Sequence, residues 1–149
     1  MDKHTIEDII NAFIKTSPDN TLTLDTGEPA WEEAIIGYSS GDDPIYDSYK
    51  EYVGKTHFTP AEIFSLTFPD DPVQPGDLTV ISWALIQREA VKQDNREEDF
   101  YPSDRWVMAR FPGERFNERL RQHVAEELVK QGISALAPTL SSHWKFETS

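Results

Sequence analysis

The sequence predicts a mixed α/β domain whose mainly parallel sheet carries helices packed on it, and three observations point that way. Apolar residues recur at helical spacing over residues 5 to 16 and again over 113 to 131. Residues 78 to 86 are dense in β-formers and almost free of polar groups, as expected of a central strand covered on both faces. Finally, residues 78 to 137 run in the order strand, helical region, strand, which implies a right-handed crossover between parallel strands. With 149 residues the chain is long enough to bury one core without staples, so a single domain is expected.

Each element has its own local reason. In residues 5 to 16, Ile6, Ile9, Ile10, Phe13 and Ile14 share one helical face, with Thr5 and Asp8 as a variant capping pair. Ser17-Pro18-Asp19-Asn20 ends that helix, and residues 17 to 30 are polar enough for a loop. Ala34-Ile35-Ile36-Gly37-Tyr38 suits a buried strand, followed by a turn through Pro44. Asp43 before Pro44 then suits the start of a short helix carrying Ile45, Tyr49, Tyr52 and Val53. Thr59-Pro60-Ala61-Glu62 combines a hydroxyl cap, proline at the first helical position and a glutamate that bonds back, so a helix follows near residues 60 to 67. The long helix over 113 to 131 carries Phe116, Leu120, Val124 and Leu128 every four residues, and Gly132 is placed to end it. Residues 133 to 137 read as the last strand, stopped by Pro138. The polar stretch 88 to 112 has room for a short helix around Trp106.

Composition excludes several functions. There is no cysteine, so disulfide scaffolds, thiolate metal sites and cysteine nucleophiles are ruled out within this chain. The net charge of -13 repels phosphate backbones and argues against nucleic acid as a partner. The first ten residues hold Asp2, Glu7 and Asp8 with no long apolar stretch, so no membrane span is expected and the cytoplasm is the default location. Acid concentrates in residues 1 to 75, whereas all seven arginines (Arg88, Arg96, Arg105, Arg110, Arg115, Arg119 and Arg121) fall in the second half. They form either a solvated helix face paired with glutamates or, in part, an anion site or docking face.

Catalytic signatures are mostly missing. His4, His57, His123 and His143 are scattered, so no metal site is expected. Gly54-Lys55-Thr56 copies only the end of a phosphate-binding loop, and there is neither a dinucleotide fingerprint nor a serine elbow. Asp-Asp-Pro occurs at residues 42 to 44 and 70 to 72, where paired carboxylates suit a cation or a proton transfer and equally suit turns and caps. Trp83, Trp106 and Trp144 could stack on a flat cofactor or serve as core or interface residues.

Taken in order, several segments resemble the amino-terminal half of the epoxyqueuosine reductase-like iron-sulfur proteins. They are Ile35-Ile36-Gly37-Tyr38-Ser39-Ser40-Gly41-Asp42-Asp43-Pro44, Thr59-Pro60-Ala61-Glu62 and Thr79-Val80-Ile81-Ser82-Trp83. Further along come Asn95-Arg96, Pro102-Ser103, Trp106, Arg110, Gly113-Glu114-Arg115-Phe116-Asn117 and Gly132-Ile133-Ser134-Ala135-Leu136-Ala137-Pro138. The likeness spans most of residues 33 to 138 and is closer to members whose substrate is unassigned. Gln87 stands where many relatives carry a proline-containing continuation of the strand.

The resemblance implies an amino-terminal domain whose parent carries two [4Fe-4S] clusters on a downstream ferredoxin-type region, and the best-known relatives are cobalamin-dependent reductases. No cofactor is then expected in this chain. Its expected role is a cofactor or substrate wall and a docking surface, inactive alone, with the downstream iron-sulfur domain as partner and a homodimer as a further arrangement. Matched positions to test for cofactor or interdomain contacts are Asp42, Asn95, Arg96, Trp106 and Arg110, each of which also has a structural reading. An alternative from another class is a complete acidic binding or inhibitor-like protein that occupies a basic partner. A small-molecule hydrolase is a distant third, since no nucleophile can be paired with a base.

Overall fold

The computed structural model describes residues 2–22 and 26–144. In chain order it contains α1 (Lys3–Thr16), β1 (Trp31–Ser40), α2 (Ile45–Tyr52), α3 (Pro60–Thr67), β2 (Thr79–Gln87), α4 (Glu89–Glu97) and α5 (Asp104–Lys130), with 3-10 turns at Pro75–Asp77 and Pro138–Leu140. Part of the expected loop, residues 23 to 25, lies outside the described residues.

The expected parallel sheet is overturned. Among the described residues the sheet has two strands, and they are antiparallel, with Ile36 opposite Trp83 and Tyr38 opposite Ile81. After the excursion through α2 and α3 the chain returns along β1 in the opposite direction. The return is closed where Gly41 N–H donates to Leu78 O at 2.8 Å. A side chain at Gly41 would bring its Cβ to 2.7 Å from both Leu78 Cβ and Pro75 O, so glycine is required by space.

The crossover expected over residues 78 to 137 is absent for a second reason, because residues 133 to 137 form no strand. Instead, Gly132 at φ 80° turns the chain out of α5, with Gly132 N–H bonding Val129 O and Ile133 N–H bonding Leu128 O. Ser134 Oγ then donates to Asp71, and Ala135 packs on the core, but no strand lies alongside to pair with.

Local signals were obeyed more closely. The Thr59 side chain accepts from Glu62 N–H while Glu62 accepts from Thr59 N–H at 2.8 Å, a complete capping box. By contrast, α1 begins at Lys3, so Thr5 sits inside its first turn and caps nothing. The segment around Trp106 is no separate short helix: it is the start of α5, capped by Ser103, whose Oγ accepts from Trp106 N–H. The helix passes through Pro112, which lacks the N–H for a bond to the preceding turn. Buried Ala109 and Gly113 on the same stripe as Phe116 hold it on course.

The main core lies between α1, α5 and one face of the sheet. Ile6, Ile10 and Ile14 meet Phe116, Leu120, Val124 and Leu128, roofed by Ala34, Ile36, Tyr38, Ile81, Trp83 and Leu85. A smaller core of Leu22, Ala30, Val91 and Ala109 packs with Trp31, Trp106 and Met108. An irregularity between Trp31 and Ala34 sets Glu32 and Glu33 of β1 against Ile86 alone of β2, turning Trp31 toward the helices.

Candidate functional site

Between the strands and the first half of α5 lies a cleft of about 170 Å³. Trp31 and Trp83 form aromatic walls, and Gln87, Arg110 and Asn117 bring polar groups to it. Close approach of the helix creates this arrangement. A Cβ at Gly113 would lie 2.6 Å from the Trp31 ring, so the glycine lets the indole edge rest on the helix.

The polar groups have a fixed sense. Trp83 Nε1, which can only donate, bonds Asn117 Oδ1 at 2.9 Å. The Asn117 amide oxygen is therefore turned to Trp83 and its NH2 is left to donate elsewhere. Trp31 Nε1 is buried and has no acceptor. An unsatisfied buried donor costs about 1–3 kcal/mol, which makes this indole the least comfortable polar group beside the cleft.

Charge adds to the asymmetry. Arg88, Arg96, Arg105, Arg119 and Arg121 each face a carboxylate. Arg110, which lines the cleft and is exposed, has no such pair among the described residues. Glu114 also lines the cleft, but Arg121 Nη1 reaches its Oε1 at 3.0 Å. The cleft thus holds a guanidinium that no carboxylate of the described residues pairs with.

The five matched positions are not gathered into one site. Asp42 is exposed in the turn after β1, with its carboxylate against Gly76. Asn95 and Trp106 meet through Ser103: Asn95 Oδ1 accepts from Ser103 N–H at 3.1 Å, and Ser103 Oγ from Trp106 N–H. Arg96 is exposed and donates to Glu89 at 3.0 Å. Only Arg110 lines the cleft. Gln87, Asn117 and Trp31 carried no assigned role in the sequence, since nothing local marks an indole that will sit on a glycine far along the chain. Trp83 had been marked as a stacking candidate, and it does line the cleft.

Elsewhere the chemistry is structural. Hydrogen bonds from Arg105 hold the Glu28 carboxyl below its ordinary value, and Lys50 does the same for Glu62, each within an ion pair. Asp94, in a hollow between α4 and α5, is likewise bonded to Arg105. Among the described residues no group of three or more His, Asp or Glu side chains could hold a metal ion, and no helix is long and apolar enough to cross a membrane.

Compared with protein families, curated proteins and solved structures, the chain finds no match.

Proposed function

We propose that this chain is the amino-terminal domain of an iron-sulfur oxidoreductase resembling the epoxyqueuosine reductase-like proteins, supplying a wall and a docking surface to a cluster-bearing half and inactive without it. The observation that carries the reading is the middle of the sheet's outer face, which the described residues leave exposed. Ile35 is 65% exposed there, opposite the exposed Ala84, and Gly37 lies opposite Ser82. Val80 and Ile86 on the same face are half-buried. Strands that are apolar on both faces suit a layer on each, and a two-stranded sheet is marginal without further cover. The resembling segments also fall on the sheet and its supports: the turn at Gly41, the capping box at Thr59 and the Trp83–Asn117 bond.

The gene provides the test. A reading frame that continues beyond Ser149 into cysteines spaced for [4Fe-4S] clusters supports the proposal, and a stop codon at that point sinks it. The purified domain should be colourless and should emerge from desalting free of added cobalamin; stoichiometric retained colour would contradict a role that needs the other half.

The surplus of acid in residues 1 to 75 favours a second reading, an acidic module that occupies a basic partner. Pull-down from the native host separates the two, because this version requires a tight basic partner and no cluster domain.

A further inference from the structure

We infer that the cleft between the strands and α5 binds a small carboxylate, with the Arg110 guanidinium and the Asn117 NH2 on its oxygens and the indoles of Trp31 and Trp83 against its apolar part. The inference does not rest on the iron-sulfur reading.

Four observations converge on that ligand. The cleft's 170 Å³ is the share of roughly six waters in the liquid, enough for a compact organic acid and too little for a nucleotide. Two donors in it are unengaged, beside the Gln87 amide, which can act either way, and the second oxygen of Glu114. Arg110 has no carboxylate partner among the described residues, and the Asn117 NH2 is turned away from the Trp83 bond. An unpaired guanidinium asks for an anionic acceptor, and a planar carboxylate matches its fork where a neutral amide does not. The aromatic walls then select an acid with a flat apolar body over a bare inorganic anion. Glu114 also lines the cleft, and the Arg121 guanidinium at 3.0 Å from its Oε1 reduces the repulsion it exerts on an anion there.

The test is a titration of the intact chain with benzoate at constant ionic strength, followed by the indole Nε1–H signals of Trp31 and Trp83 in 1H–15N spectra. Both signals should move together and saturate with a Kd of about 1 mM or tighter. Arg110→Gln, a change at an exposed position, should leave the spectrum folded and weaken binding about tenfold or more. Benzamide should bind at least as weakly to the unaltered protein as benzoate does to that variant. Inorganic phosphate should compete poorly. No saturation by benzoate, equal binding by Arg110→Gln, or equal binding of benzamide would each overturn the proposal. Phosphate binding as tightly as benzoate would overturn the carboxylate assignment.

Discussion

The two faces of the same sheet have different fates. On the inner face, Ala34, Ile36, Tyr38, Ile81, Trp83 and Leu85 roof the core of α1 and α5. On the outer face, Ile35, Gly37, Ser82 and Ala84 remain exposed. The inner face carries the larger apolar side chains, and Ile35 is the one large apolar residue among the four exposed outer ones. They differ too in whether another element is present to cover the face, so an apolar run such as residues 78 to 86 records the burial a strand is suited to and not the burial it has in this chain.

The sharpest way to probe that contrast is to cut into each side. Phe116→Ala removes a 1%-exposed ring from beneath the inner face and should cost about 3–5 kcal/mol in chemical denaturation. A loss under about 1 kcal/mol would mean the inner core is not packed as described. Gly113→Ala should cost about 1–3 kcal/mol, because its Cβ meets the Trp31 ring and either the ring or α5 must shift. The Trp31 fluorescence maximum should move with it, and an unchanged spectrum at full stability would remove the close approach.

A smaller, pH-dependent effect is expected where Arg105 ties the loop before β1 to the helices. The hydrogen bond from Arg105 lowers the Glu28 pKa, so the pair contributes stability above the ordinary glutamate value of 4.5. That contribution fades as pH falls below 4.5 and through the lowered value. Arg105→Gln should therefore flatten part of the acid loss of stability below about pH 4.5, leaving the share of Glu62, Glu89 and Glu127, which are lowered in the same sense. Identical acid titrations of the two proteins would show that the ion pair has no such role.

The smallest effect on the isolated domain belongs to the outer face. Ile35→Asp should change its stability by no more than about 0.5 kcal/mol, since the side chain is already in water. In the longer protein proposed above, the same change should abolish association with the cluster-bearing half. A large loss of stability in the isolated domain would mean that the face is covered within this chain.

Some of the site was visible in the residues alone. Arg110 stood among the matched positions and Trp83 among the stacking candidates, and both line the cleft. Asn95 accepts from Ser103 N–H, the Trp106 side chain packs on the smaller core while its backbone N–H meets Ser103 Oγ, and Arg96 donates to Glu89. The cleft itself needed contacts between β1, β2 and α5, and no sequence spacing encodes the angle at which a helix rests on a sheet.

What the sequence determined by itself was local: the capping box at Thr59, the Gly132 stop after Leu128, the apolar stripes of α1 and α5, and the two strands. These follow from interactions between residues a few positions apart, where backbone geometry leaves few choices. Tertiary structure alone decided the antiparallel pairing, the passage of α5 through Pro112 and the absence of a strand at residues 133 to 137. Each of these depends on which distant surface is available to supply hydrogen bonds or bury apolar area, and a strand without a neighbour to complete its ladder remains merely extended chain.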